Sequence, residues 1–257
     1  MSERLAPSAA LADAIDGICR LAATRGVRLL FDAEQQAVQG GIDDWTLAYM
    51  RKYNTAEGAT IFGTYQAYLK STPATLSGHL RAAREGNFAL GVKLVRGAYL
   101  GSDPRHLIHD TKADTDAAYD GVAEALLRQR WLRPLDADDG AFPRVSMVLA
   151  SHNAETVRRA RRLLDSGVRG PEVAFAQLQG MADEVSCSLL DSAAPRGEGA
   201  GRPRTYKYVV WGSTGECMKY LLRRAQENKD AVQRTKSGRD AMRAELWRRF
   251  KTVLGLA

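Results

Sequence analysis

The sequence predicts an α/β protein built on a parallel sheet, and three observations carry that prediction. Apolar, β-rich runs alternate with segments of helical spacing six times along the 257 residues. The runs are close to continuously apolar, as expected of strands covered on both faces. Polar and charged residues gather at the C-terminal end of the runs, where parallel β/α architectures line their ligand crevice. The pattern serves doubly wound sheets and (β/α)8 barrels alike. No G-x-G-x-x-G follows the first run, which weakens a dinucleotide-binding Rossmann reading.

The elements follow in order. "SAALADAIDGICRLAATRG" reads as an amphipathic helix with a serine start and a glycine stop, and "VRLLFD" as the short buried strand after it, closed by Asp32 and Glu34. The second strand lies in "GATIFGTY", followed by Gln66, and the third in "LGVKLVRGAY", which holds Lys93 and is followed by Arg96 and Tyr99. "RVSMVLASHN" ends on His152 and Asn153, "EVAFAQLQG" on Gln177 and Gln179, and "YKYVVWGS" is the sixth run. Some of these residues have plainer uses. Asn153 suits the cap of a helix beginning at Ala154, and Lys93 could snorkel from a strand end. Two Gly/Pro-rich stretches, "RPLDADDGAFPR" and "SAAPRGEGAGRPR", read as surface insertions rather than domain boundaries, so residues 1–257 form a single expected domain.

Near the C-terminus, "CMKYLLRRAQEN" places Tyr220, Arg223, Arg224 and Glu227 on one helical face and Leu221, Leu222 and Ala225 on the other, which the pattern assigns to a core. Residues 235–257 are expected to form a basic amphipathic helix. Met242, Leu246, Phe250 and Val253 recur along it, with Arg239, Arg243, Arg249 and Lys251 largely elsewhere around it. Such a helix can lie on an anionic membrane surface or close a barrel.

Composition narrows the class. With 45% apolar and 26% charged residues the chain is not expected to be disordered. Cys19, Cys187 and Cys217 are odd in number and in no CxxC arrangement, which suggests neither a disulfide framework nor a zinc site and fits a reducing compartment. No apolar stretch reaches the length of about twenty residues that a membrane span needs, and no targeting segment is legible at the start. Of the formal +7 charge, a surplus of six sits between Arg223 and Lys251, without an aromatic stacking platform, so nucleic acid is not the expected partner. A Schiff-base aldolase using Lys93 would be a different enzyme class, tested by borohydride trapping.

Taken in order, "LFDAEQQ", "TYQAYL", "GVKLVRGAYL", "TKADTDAAY", "SHN", "FAQLQGM" and "YKYVVWGSTGECMKYLLRRAQEN" resemble the flavin-dependent proline dehydrogenases, especially the mitochondrial, fungal-like branch. The resemblance spans about residues 8 to 233. It implies a (β/α)8 barrel with FAD at the C-terminal strand ends and oxidation of L-proline to Δ1-pyrroline-5-carboxylate. It also implies quinone as electron acceptor, possible peripheral membrane contact, and a mitochondrial setting on the inner membrane or matrix side. Six strands are visible where the family has eight, so the first two β/α units are expected to be missing. A competing reading is a non-catalytic or truncated remnant.

The same resemblance implies roles for individual residues. Arg223 and Arg224 match the pair that clamps the proline carboxylate. Tyr208 and Tyr220 match the walls of its ring, and Leu178 an apolar contact. Asp32 matches a carboxylate paired with the arginines, and Tyr99 a neighbour of the substrate pocket. On the cofactor side, Lys93, Arg96 and Ala98 match residues beside the flavin and its phosphates, and Gln66 a partner of the flavin ring. Lys112 and Thr115 match contacts to adenosine diphosphate, His152 and Asn153 contacts along the ribityl-pyrophosphate, and Glu227 a further FAD contact. Val210, Trp211 and Ser213 stand where the family more often has Pro, Tyr and Pro.

Overall fold

The computed structural model describes residues 7–166, 171–191, 204–227 and 235–254. Its elements alternate as the sequence pattern requires: α1 (Ala9–Arg25), β1 (Leu29–Phe31), α2 (Gln36–Tyr53), β2 (Ile61–Gln66), α3 (Thr72–Glu85), β3 (Leu90–Val95), α4 (Lys112–Arg128), β4 (Val145–Ala150), α5 (Ala154–Asp165), β5 (Glu172–Leu178), α6 (Asp183–Asp191), β6 (Arg204–Tyr208), α7 (Thr214–Glu227) and α8 (Thr235–Val253). The six strands are hydrogen-bonded in chain order, and β1 to β4 pair in parallel. This is the α/β barrel-type arrangement expected from the alternation, with six strands among the described residues. The expected insertion at 192–204 lies outside the described residues except for Arg204, which begins β6.

Packing divides the chain into two compact units, Met1–Phe175 with Pro195–Arg204, and Ala176–Ala194 with Thr205–Ala257. In the first, helix boundaries follow local chemistry. Ser8 caps α1 by accepting from Leu11 N, and Gly26 ends it in the left-handed conformation at φ 63°. Every residue of β2 is buried, and Leu76, Leu80, Val122, Leu126 and Leu127 of α3 and α4 are buried in the same core. Each such side chain contributes about 1.5–3 kcal/mol.

Three polar devices hold this unit at the strand starts. Asn54, 8% exposed, donates from Nδ2 to Ile61 O (3.0 Å) and Ala89 O (2.9 Å) and accepts at Oδ1 from Thr60 N (3.0 Å) and Ile61 N (2.8 Å), joining the end of α2 to the starts of β2 and β3. Arg28, before β1, pairs with Glu172 at the start of β5 and lies 5.6 Å over the Phe62 ring, while Glu172 also pairs with Arg204 at 3.0 Å. An ion pair between the starts of β1 and β5 requires the sheet to curl. The stretch between α4 and β4, expected as a surface insertion, is firmly packed. Arg81 and Arg84 of α3 bind Asp138 at 2.9 and 2.6 Å, Trp131 packs on Phe142 with centroids 5.0 Å apart, and Leu135 is buried.

In the second unit β6 differs from expectation. It begins at Arg204 and stops at Tyr208, so Val209, Val210 and Trp211 of the predicted run fall outside it, with Trp211 97% exposed. The reason is local: Gly212 adopts φ 151°, and Ser213 N and Oγ both donate to Glu216 Oε2, forming the turn that starts α7. The apolar half of α7 also departs from its assignment to a core, with Leu221 51% and Leu222 57% exposed. In α8, Met242, Leu246, Trp247 and Phe250 are all exposed, and the helix lies against α6. At 100° per residue Arg239 projects within the arc of Met242, Leu246 and Phe250 and Arg243 borders it, so the apolar stripe is less clean than its spacing suggests.

Candidate functional site

At the C-terminal ends of β1 to β4 the first unit gathers most of the predicted polar residues. Lys93 points from β3 to Asp32, just beyond β1, and the two form an ion pair with Lys93 only 16% exposed. That ends the idea of a merely snorkelling lysine: its ammonium has a specific carboxylate partner. Gln66, at the end of β2 and 3% exposed, donates from Nε2 to Glu34 O (3.1 Å) and accepts from Ala98 N (3.2 Å). One side chain thus ties together the segments that follow β1 and β3. Tyr99 OH donates to Glu34 Oε2 at 2.6 Å. Between Arg96 and Ala98, Gly97 has φ 144°, and a Cβ there would stand 2.3 Å from the Tyr68 ring. Tyr68 in turn donates to Asp103 at 2.5 Å, and Asp103 also accepts from Gln36 N at 2.8 Å.

Arg96 is the most thoroughly anchored of the predicted residues. Its Nε donates to Asp116 Oδ1 (2.7 Å), Nη1 to Ser151 Oγ (2.7 Å) and Nη2 to Thr156 Oγ1 (2.9 Å), and its guanidinium lies 4.5 Å from the Tyr119 ring centroid. Lys112 pairs with the other oxygen of Asp116. Burial works against the charge on Asp116, but the bonds from Lys112 and Arg96 outweigh it and hold its carboxyl below the usual range. Lys112 and Thr115 lie on the first turn of α4, which Thr111 and Asp114 start as a reciprocal capping box. His152 and Asn153 follow β4. Asn153 is the cap of α5, accepting from Glu155 N at 3.0 Å and Thr156 N at 3.2 Å, so its carbonyl oxygen is engaged by the helix.

The second unit assembles the rest. Leu178 ends β5, and the neighbouring Gln179 N donates to Tyr208 O at 3.0 Å, bringing the ends of β5 and β6 together. The rings of Tyr208 and Tyr220 stand 5.8 Å apart, and the Arg224 guanidinium lies 5.1 Å from the Tyr220 ring centroid. Tyr220 and Arg224 are one helical turn apart, as the face argument required. Arg223 and Glu227 belong to α7, but their side chains lie outside the described residues.

Several residues here carried no local signal. Asp116, Ser151, Thr156 and Tyr119 hold Arg96, and Asp103 and Tyr68 support Gly97, through contacts between distant segments. Lys207 donates to Met181 O (2.8 Å) and Asp183 Oδ1 (2.6 Å), bracing β6 against the turn before α6. The spacing of Asp116 four residues after Lys112 could have suggested their pairing; nothing comparable announced the others. No group of three or more His, Cys, Asp or Glu suited to a metal occurs among the described residues. Cys19, Cys187 and Cys217 are free thiols, and burial pushes the Cys19 thiol up to about 11.

The sequence profile of the family described as proline dehydrogenase matches residues 2–237. The probable mitochondrial proline dehydrogenase of Schizosaccharomyces pombe is 37% identical over 91% of this chain and 49% of its own length. The human mitochondrial proline dehydrogenase 1 is 35% identical over 93% of this chain and 38% of its own, and the rat hydroxyproline dehydrogenase 35% over 91% and 50%. The chain therefore spans half, or less, of the length of these relatives. Among solved structures, proline utilization A of Bdellovibrio bacteriovorus superposes with a TM-score of 0.68 at 23% identity, covering 85% of this chain and 22% of that one, and its likeness concerns the fold. With the β/α order, the strand-end residues and a match that runs almost from end to end, the chain belongs to the proline dehydrogenase family.

Proposed function

We propose that this chain carries an FAD-dependent dehydrogenase activity that oxidises L-proline to Δ1-pyrroline-5-carboxylate, the first step of proline catabolism. The observation that carries the reading is the cluster of Arg224, Tyr220 and Tyr208 at the end of β6 and on α7. A guanidinium beside two aromatic rings suits a small zwitterion with a carboxylate and an apolar ring. Arg224, with Arg223 beside it in sequence, would clamp the carboxylate, and the tyrosines and Leu178 would restrict the ring. Held orientation then contributes much of the rate enhancement. The substrate amine must be neutral, and its proton passes to solvent.

The donor set of the first unit fits an anionic dinucleotide. Lys93, Arg96 and Lys112 bring three cations to the ends of β3 and the start of α4, with Gln66, Ala98, Thr115, His152 and Asn153 supplying polar groups around them. Arg96 keeps two of its five N–H donors beyond the bonds to Asp116, Ser151 and Thr156, and Asn153 keeps its amide nitrogen for a ligand. Bound FAD supplies the two-electron acceptor that no side chain provides.

Electrons pass on to quinone, as the family resemblance implies. The setting is mitochondrial, in keeping with the names of the relatives. No helix among the described residues is long and apolar enough to cross a membrane. Peripheral contact through the exposed apolar residues and arginines of α8 is the arrangement we favour.

The test is spectroscopic. The full chain, purified in the presence of FAD, should show flavin absorbance that bleaches with L-proline, with hydroxyproline run in parallel because relatives of both names match equally well. A chain that retains no flavin, or whose flavin neither compound bleaches, would refute the activity and favour a non-catalytic remnant.

A further inference from the structure

Asp116 stands between two residues that the flavin reading assigns to different parts of the cofactor. Its Oδ1 accepts from Arg96 Nε at 2.7 Å and its Oδ2 pairs with Lys112. Two further supports of the Arg96 cradle stand on the same helix face, beside the bonds to Ser151 after β4 and Thr156 on α5. Tyr119, three residues on, lies under the guanidinium at 4.5 Å, with its own hydroxyl donating to Leu94 O (3.1 Å) and Ala150 O (3.3 Å) at the ends of β3 and β4. Asp120, four residues on, accepts from Thr156 Oγ1 at 2.7 Å, and that hydroxyl accepts from Arg96 Nη2. The guanidinium plane is thereby set by one ring below and three hydrogen bonds around its edge.

We propose that Asp116 is a positioning residue: it fixes the Arg96 guanidinium and the Lys112 ammonium relative to each other, so that their remaining donors meet an anionic flavin nucleotide together. The inference rests on the flavin reading for its consequence but not for its geometry. A carboxylate here also subtracts one charge from a cationic site, and that effect alone would work the other way. Simple neutralisation predicts that removing Asp116 strengthens binding of an anion and makes the bound flavin easier to reduce. Positioning predicts the reverse, because a guanidinium released from its cradle loses orientation and presents its charge less effectively.

Asp116→Ala removes both bonds, and Asp116→Asn keeps an acceptor for Arg96 while losing the charge and the Lys112 pair. The first readout needs no flavin: solvent exchange of the Arg96 Nε–H, followed by nitrogen-15 NMR on the full chain. Exchange should quicken at least tenfold in Asp116→Ala and less in Asp116→Asn. The second is FAD titration, where affinity should fall about tenfold in Asp116→Ala, the size of one lost charge-assisted hydrogen bond. The third is the flavin midpoint potential, which should move negative. Unchanged Nε–H exchange overturns the assignment, as does tighter FAD binding with a positive shift in potential. Should the parent chain take up no FAD, the flavin reading fails separately, and the exchange measurement still decides whether Asp116 holds Arg96. Should Asp116→Ala fail to fold, Asp116→Asn carries the same three measurements.

Discussion

Replacing Asn54 with alanine tests the account of the sheet most directly, because the four hydrogen bonds of this side chain are all to backbone groups. The substitution leaves the carbonyls of Ile61 and Ala89 and the N–H groups of Thr60 and Ile61 without their side-chain partner at a site 8% exposed. At about 1 kcal/mol net for each bond the gross loss is about 4 kcal/mol. Thr60 is only half-buried, so water can replace the bond to its N–H, and the expected loss is about 3 kcal/mol. Equilibrium urea unfolding followed by circular dichroism should show the midpoint fall with the slope unchanged. A loss below about 1 kcal/mol would refute the view that Asn54 joins α2, β2 and β3. Asn54→Asp sharpens the test. It keeps acceptors for Thr60 and Ile61 N–H but sets carboxylate oxygens against two carbonyls, which raises the carboxyl pKa in the folded state. The folded chain then binds the proton more readily than the unfolded one. Asn54→Asp should therefore regain part of its lost stability as pH falls, whereas Asn54→Ala should not.

Gly97→Ala forces a side chain into φ 144° and into the Tyr68 ring, so it should cost about 2 kcal/mol or more in urea unfolding and reduce flavin retention; a stability within error of the parent would show that the segment relaxes freely. Hydrogen bonds from Arg84, Gly140 N–H and Arg81 hold the Asp138 carboxyl well below its ordinary value of 3.8, so its stabilisation is complete above that value and is lost as pH falls through the depressed one. The gap in urea midpoint between the parent and Asp138→Asn should accordingly be present at pH 7 and narrow in strong acid, and a gap that widened would reverse the sign. Arg224→Met should lower kcat/KM for proline about 100-fold, mainly through KM, with flavin content retained, and an unchanged KM would remove Arg224 from the carboxylate clamp.

How far the sequence could be read depends on the range of the interaction concerned. Period and caps act within a few residues, so the helix from Ser8 to Gly26 and the cap at Asn153 were legible, as were the approximate places of all six strands. The sixth strand was misplaced because Val209 and Trp211 are apolar but exposed and Val210 is only half-buried, and strand propensity does not distinguish a covered run from an uncovered one. The stretch from Arg133 to Arg144 read as a surface insertion by composition and does lie at the surface, but composition did not show that it is pinned by arginines of α3 more than fifty residues earlier. The candidate site divides in the same way. That Lys93, Arg96, Gln66 and Tyr99 stand at strand ends follows from alternation alone. That Arg96 spends three donors on Asp116, Ser151 and Thr156, and that Gln66 links the segments after β1 and β3, follows from contacts no periodicity encodes.

The ion pair between Arg28 and Glu172 bears on the order in which the first unit is assembled. Each β-strand here meets its successor after a single intervening α-helix, so neighbouring pairs can form with modest loop closure. Arg28 and Glu172 are separated by four β/α units, and their contact exists only once all the strands between them have been laid down in register. We expect a bond of that range to form after the rate-limiting barrier, which the folding and unfolding rates of the parent and Arg28→Met would test. Removing it, as in Arg28→Met, would leave the refolding rate nearly untouched and express itself as faster unfolding, making this pair a determinant of how long the curled sheet persists rather than of how quickly it arises.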